Sequence, residues 1–471
     1  MSEVIKIKQG LDINLVGKAE KVVQQLPLSE TFAVKPPDFA GLTPKLTVKV
    51  GDTVKAGSTL FFDKYNPDVK YASPVSGTVE AINRGERRRL LEVVVKADAQ
   101  ISYEEFKSGN PSSMSSEEVK NTMLSSGVWP LLTKRPFGYV AQPDETPKAI
   151  FITGFDSAPL AADFEFVAEG QAEAFNVGVE ALKKLTDGSV HLGLKYGSAN
   201  GVFGKSSAQV TEFDGPHPAG NVGTQINKID PINKGEVVWT ANAIDVIIIG
   251  RLFMTGKFDA TKTIAVTGPK ATKPQYVKTL IGAPISAILK GNEVTEGTRV
   301  VSGNPLTGTI VSANGYLCFK DNQVSLLEEG TKMEFMGWGA PGLNKFSISR
   351  TFLSAEKLPI YGVFDRILFG YLPQLLSNLL TPNEYNINTN LNGGVRPFVV
   401  TGQYEKVFPL DIMPVQLLKS IIINDIDQME ELGIYEVIEE DFALCEFVCT
   451  SKTEAQSIVR EGLDTLYKEL G

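Results

Sequence analysis

Three cysteines and two histidines make up the whole stock of soft metal ligands and nucleophile-activating bases in this 471-residue chain. Cys445 and Cys449 share the stretch E-E-D-F-A-L-C-E-F-V-C-T-S-K-T-E at 439–454, and a spacing of four puts both on one face of a helix with Phe442. Two thiolates underfill a tetrahedral site, neither histidine is near in sequence, and Cys318 falls in a separate strand-like segment, G-Y-L-C-F. A four-thiolate iron-sulfur cluster cannot be assembled from three cysteines. The thiols are therefore expected to be structural and reduced, with no metal site and no disulfide framework.

Other spellings suggest chemistry that their context does not support. G-W-G-A-P-G at 337–342 matches the dinucleotide fingerprint, but Pro341 interrupts it and the sequel alternates like a strand. A-N-G-V-F-G-K-S at 199–206 satisfies a relaxed phosphate-loop pattern, yet Gly215-Pro216 arrives too soon for a phosphate-facing helix. His217, in the rigid loop F-D-G-P-H-P-A-G-N-V-G-T, is more simply a backbone-bonded loop histidine than a ligand-orienting one.

The elements that must carry these residues fall into four stretches, as the chain length suggests at roughly 100–200 residues per domain. Residues 1–100 hold short Val- and Leu-rich runs punctuated by Gly51-Asp52 and Ala56-Gly57, the grammar of a small all-β module. Their V-G-D-x-V-x-A-G and P-V-S-G-x-V spellings resemble a biotinyl/lipoyl carrier. The tip F-D-K-Y-N-P-D-V-K has Lys64 displaced and no methionine beside it, so a scaffold is expected rather than a swinging arm. Within 101–256 a capped helix is expected near 115–125. Strand runs at 149–154 and 189–196 then alternate with helical patterns at 169–185 and 244–253, which predicts a Rossmann-like α/β domain. Residues 257–345 are strand-rich, including P-I-S-A-I-L at 284–289, and fit a β-grasp, SLBB-like domain. Residues 346–471 predict a C-terminal helical domain, with helices over 360–380 and 414–425. A final helix is expected to open on S-K-T-E at 451–454 as a capping box, with Ala455, Val459, Leu463, Leu466 and Leu470 as its apolar stripe.

Net charge is −9 and no basic tract dominates, which excludes the electrostatic footprint of a nucleic-acid binder. The longest apolar run, at 243–253, is broken by Asp245 and Arg251, and M-S-E-V-I-K-I-K-Q-G has no signal-peptide core. The expectation is a protein without a transmembrane helix or signal peptide.

From I-K-I-K-Q-G-L-D-I at 5–13 to the tail, and above all in F-D-G-P-H-P-A-G-N-V-G-T, V-F-P-L-D-I-M-P and E-E-D-F-A-L-C-E-F-V-C, the sequence resembles the NqrA family of the Na+-translocating NADH:quinone oxidoreductase (Na+-NQR). That family is related to the NADH- and FMN-binding subunit of respiratory complex I and to its Rnf counterpart. Those relatives carry C-x-x-C-x-x-C plus a further cysteine, where this chain has C-x-x-x-C. Their glycine-rich flavin loop corresponds to T-K-R-P-F-G-Y-V-A-Q-P at 133–143, and their acidic turn to T-G-F-D-S-A-P-L at 153–160. The resemblance thus implies that FMN and iron-sulfur are absent here, that no cofactor is tightly bound and that no catalytic residue set is complete in this chain.

It further implies a peripheral subunit on the cytoplasmic face of the bacterial inner membrane. Its partners would be integral membrane subunits, chiefly NqrB, in a complex coupling NADH oxidation and ubiquinone reduction to Na+ export. The alternative is a non-catalytic docking subunit of the same or an Rnf-like complex. A quinone site needs apolar and aromatic walls with a few polar anchors. The exposed-looking aromatics of V-K-P-P-D-F-A-G and V-W-P-L-L-T-K-R-P-F name Phe39, Trp129, Arg135 and Phe137 as candidates.

Overall fold

The computed structural model describes residues 3–292, 294–331, 346–347, 384–390 and 394–470. The G-W-G-A-P-G stretch and the helix expected over 360–380 lie outside the described residues.

Between residues 31 and 97 the turn-rich sequence forms two small antiparallel sheets. One is ordered Thr31–Val34, Leu90–Ala97, Gly77–Arg84, Thr53–Val54, and the other Pro44–Leu46, Thr59–Asp63, Lys70–Ala72. Alternation sends Val79, Val93 and Val95 into a shared core with Leu60 and Phe61. Lys64 stands exposed at the hairpin joining Thr59–Asp63 to Lys70–Ala72, its ammonium 5.5 Å from the Tyr65 ring centroid.

A seven-stranded sheet follows, ordered Glu3–Lys6, Gln209–Asp214, Ser189–Lys195, Ala149–Thr153, Val238–Asn242, Thr133–Arg135, Tyr139–Val140. The first five are parallel, and the 133–140 hairpin adds an antiparallel edge. Ala149–Ile152 is buried at every position because both faces are covered: Ile150 and Ile152 enter one core, Ala149 and Phe151 another with Ile226. The helices Ala172–Lys183 and Ala243–Thr255 pack closely, since a Cβ on Gly250 would sit 1.7 Å from the Ala174 carbonyl oxygen. The capped helix is found at Ser116–Ser126, with Ser115 and Glu118 forming its capping box.

The third sheet is mixed, running Thr309–Ile310, Thr298–Ser302, Gln323–Glu328, Thr261–Thr267, Gln275–Leu280, Glu20–Gln25, with Ile387–Asn388 and Phe346–Ser347 attached. The N-terminal stretch thereby ties two sheets, Glu3–Lys6 pairing with Gln209–Asp214 and Glu20–Gln25 with Gln275–Leu280. P-I-S-A-I-L is not a strand. Pro284 starts a short helix, Ile285–Ile288, whose two isoleucines, three apart, are both buried and outweigh their β preference.

In the tail, Pro414–Ile422, Ala443–Val448 and Ala455–Leu470 are helical, and Ala455, Val459, Leu463 and Leu466 are all buried. Cys445 lies within its helix. Cys449 ends that helix in extended geometry, and both thiols are free and buried. The S-K-T-E expectation needs correction: the last helix begins at Ala455, because Lys452 takes a left-handed conformation at φ 59°. Its first turn is capped from outside, the Glu446 carboxylate accepting the Gln456 amide at 3.0 Å. No helix among the described residues is long and apolar enough to cross a membrane.

Candidate functional site

In an open parallel sheet, ligands collect beyond the carboxyl ends of strands where the direction of sheet growth reverses. Here Ala149–Thr153 has Ser189–Lys195 on one side and Val238–Asn242 on the other, so the reversal lies between the ends Thr153 and Asn242. A cavity of 290 Å³ opens there. Phe155, Asp156 and Phe164 follow the first of these strands, Asn242 ends the second with Asp245 in the first turn of the helix after it, and Asn221 and Val222 begin the helix Val222–Ile229. Lys320, Asp321 and Asn322 close it from the third sheet, and Ile438 and Glu440 from the tail. A cleft of 610 Å³ lies on the other side of the Phe155–Asp156 turn and takes in Asp12, Ser157, Lys195 and Asp214.

Charged groups crowd the smaller cavity and are mostly matched to one another. Arg135 donates to Asp441 at 2.7 Å and also to Glu440, and both carboxylates raise its pKa against the opposing effect of burial. Burial pushes the carboxyls of Asp156, Asp245, Asp321 and Glu440 up. Asp245 is held by the Asn242 amide at 2.8 Å and lies 3.4 Å from the Lys262 ammonium. Asp321 accepts the Ser302 hydroxyl at 2.6 Å. The hydroxyl of Thr133 is the hydrogen-bond partner of Lys320, whose pKa burial lowers to about 8.

His217 pairs with Ser157, Nδ1 to Oγ at 3.0 Å, while the Gly220 amide donates to the same hydroxyl at 2.8 Å. With one acceptor position taken by the Gly220 amide, the Ser157 hydroxyl keeps its proton and a second lone pair for Nδ1, so it can serve either tautomer of the ring. This is not a hydrolytic triad. Asp12 accepts the backbone amide of His217 at 2.8 Å rather than orienting its ring, and burial drives the imidazole down to about 3, too weak a base to activate serine.

The four candidates from the sequence do not share one pocket, and none is an exposed loop side chain. Trp129 is wholly buried, donating to the Ala141 carbonyl at 2.7 Å with its ring edge against Trp239. Phe39 is buried between Tyr71 and Phe319 beside a separate cleft that Arg460 and Asp464 also line. Phe137, buried at φ 82°, packs on Tyr467, and its carbonyl accepts from Arg460 at 2.7 Å. Of the four, Arg135 lines the cavity. Their proline-rich passages look open in sequence but are closed over by the barrel-like sheets and the final helix. Lys320 carried no sequence signal, lying in F-K-D-N between strands.

The stretch 199–206 runs through turns into the strand Gln209–Asp214, with no helix to face a phosphate. Among the described residues no group of three His, Cys, Asp or Glu side chains is placed to hold a metal ion.

Sequence-profile matches cover residues 5–98 as an NqrA N-terminal barrel-sandwich hybrid domain, 114–258 as an NqrA second alpha/beta domain, and 263–313 as an NQRA C-terminal domain. The chain is 39% identical over 469 residues to the NqrA protein of the Na(+)-translocating NADH-quinone reductase from a Neisseria meningitidis serogroup A strain, across 99% of this chain and 100% of the relative. It matches the NqrA proteins of Yersinia pseudotuberculosis at 39% over 471 residues and of Pasteurella multocida at 39% over 470, with the same coverage. From the barrel-sandwich module to the final helix, the chain belongs to the NqrA family of the Na+-translocating NADH-quinone reductase.

Proposed function

We propose that this chain is the peripheral, cofactor-free component of the quinone-reducing end in an Na+-translocating NADH:ubiquinone oxidoreductase. It sits on the cytoplasmic face against integral membrane subunits, chiefly NqrB. The observation that carries this reading is the match to NqrA proteins over the full length of both chains. The proposed division is a barrel-sandwich module at 1–100, a Rossmann-like domain at 101–256, a β-grasp domain at 257–345 and a helical domain at 346–471.

The absence of resident FMN draws support from the passage that corresponds to the flavin loop of the relatives. A phosphate cradle needs backbone amides that small residues leave open. Here the start of the helix Val222–Ile229 is filled by the chain's own side chains. A Cβ on Gly223 would lie 2.3 Å from Asp441 Oδ1 and 2.5 Å from Arg135 Nη1. The quinone contact is assigned to the cavity that Arg135 lines, with Phe39, Trp129 and Phe137 acting from the packed surround.

Purified chain is expected to be colourless and to bind ubiquinone-1 in a calorimetric titration. Stoichiometric flavin or iron absorbance would overturn the cofactor-free reading. A colourless protein that ignores saturating quinone would favour the docking role over a quinone-contacting one.

A further inference from the structure

We propose that Lys320 is the residue that holds a carbonyl oxygen of the quinone head group in the cavity beyond Thr153 and Asn242. This rests on the quinone reading above and gives it a specific anchor.

Among the described residues, Arg135 and Lys320 are the arginine and lysine side chains that line the cavity, and Lys262 stands beside it through its contact with Asp245. Arg135 commits both terminal nitrogens to Glu440 and Asp441 and keeps a buried Nε without a partner, so its charge is already neutralised by two carboxylates. Lys262 lies 3.4 Å from Asp245 and donates to the carbonyls of Phe319 and Lys320 at 3.3 and 3.1 Å. Lys320 differs: among the described residues its ammonium makes no ion pair, and the neutral Thr133 hydroxyl is its hydrogen-bond partner. An ammonium has three donor hydrogens, so capacity remains. A half-buried cation in a low-dielectric wall gains most from an acceptor that brings its own lone pairs.

The same surroundings select the ligand. Asp156, Asp245, Asp321 and Glu440 line the cavity beside Arg135 and Lys320, so acidic groups outnumber cationic ones and the lining does not favour an anion over a neutral ligand. A neutral ring carbonyl accepts a charge-assisted hydrogen bond. Leu131, Phe155 and Phe164 supply apolar and aromatic wall for a flat ring, and 290 Å³ lies at the small end of ligand pockets, which run to roughly 300–1,000 Å³. With its pKa lowered to about 8 by burial, Lys320 stays mostly protonated at neutral pH. An ammonium there also stabilises the negative charge that builds on the oxygen as a quinone is reduced.

The test is calorimetric titration of the full chain with ubiquinone-1, comparing wild type, Lys320→Met and Lys320→Arg at matched melting temperature. Loss of one charge-assisted hydrogen bond predicts an affinity about tenfold to a hundredfold weaker in Lys320→Met, with Lys320→Arg keeping most of it. If wild type binds and Lys320→Met binds equally well, the anchor is wrong and the quinone reading stands. If wild type does not bind, both fall. Amine labelling of the wild type, read by peptide mass spectrometry, needs no variant. Saturating ubiquinone-1 is expected to shield Lys320 and leave exposed Lys64 unchanged, and equal labelling of Lys320 with and without quinone would overturn the assignment.

Discussion

Arg135 shows how a side chain that looks like a ligand anchor can be consumed by the fold. Its guanidinium reaches from the edge hairpin to the E-E-D stretch more than 300 residues later, meeting Asp441 at 2.7 Å with both side chains out of water. Removing one partner of such a pair strands the other charge, which costs about 3–5 kcal/mol. Arg135→Ala is therefore expected to lose about that much stability in urea titrations. A loss under about 1 kcal/mol, the value of a surface ion pair, would show that the clamp is solvated. Nothing local in T-K-R-P-F announces this role, because the partners are distant in sequence. The same blindness hid Lys320 and placed Trp129 and Phe39 on the surface: proline and aromatic residues signal an irregular backbone, and only the packing of other elements decides whether it is covered.

At the scale of elements, two spellings of one motif part company for a physical reason. S-S-E-E opens the helix Ser116–Ser126 as written, Ser115 and Glu118 exchanging bonds with each other's amides. S-K-T-E does not, since the left-handed Lys452 turns the chain before a helix can start and Glu446 on the preceding helix supplies the cap. Glu446→Ala is expected to cost about 1 kcal/mol. Hydrogen exchange locates the effect: the Gln456 amide should lose protection in the variant while the Glu118 amide, capped by Ser115, does not. If Gln456 exchange is unchanged, the cap lies elsewhere. Runs such as 149–153, 189–195 and 243–255 were legible from length and bounding residues more than from period: short apolar runs ended by Gly or turn residues read as buried strands, and a thirteen-residue, mostly apolar run is long enough for a helix. P-I-S-A-I-L was not, since six residues of β-formers carry no period strong enough to outvote the contacts that bury Ile285 and Ile288.

For the whole molecule, the scarcity of histidine makes its response to mild acid unusually simple to assign. Unfolded, His217 takes a proton near pH 6.5; folded, burial lowers that to about 3, so its contribution to stability is complete above about pH 6.5 and is lost as pH falls toward 3. His191, stacked on Phe151, is shifted in the same direction by burial. Buried carboxyls act oppositely. Burial raises Asp38 to about 6 despite Lys35, so its contribution is present at low pH and lost as pH rises through about 6, and Asp245 and Asp321 share that sign. The two tendencies offset each other between pH 7 and 5, above the range where carboxylates with lowered values, such as Asp163 and Asp259, begin to titrate. His217→Asn separates them, because the asparagine amide offers the Ser157 hydroxyl both a donor and an acceptor but does not titrate. Relative to this variant, wild type is expected to lose on the order of 2 kcal/mol between pH 7 and 5 in urea titrations. Parallel pH curves for the two proteins would mean that His217 meets solvent when protonated, and that the loop tying the N-terminal Asp12 to the parallel sheet opens in mild acid instead of holding the imidazole neutral.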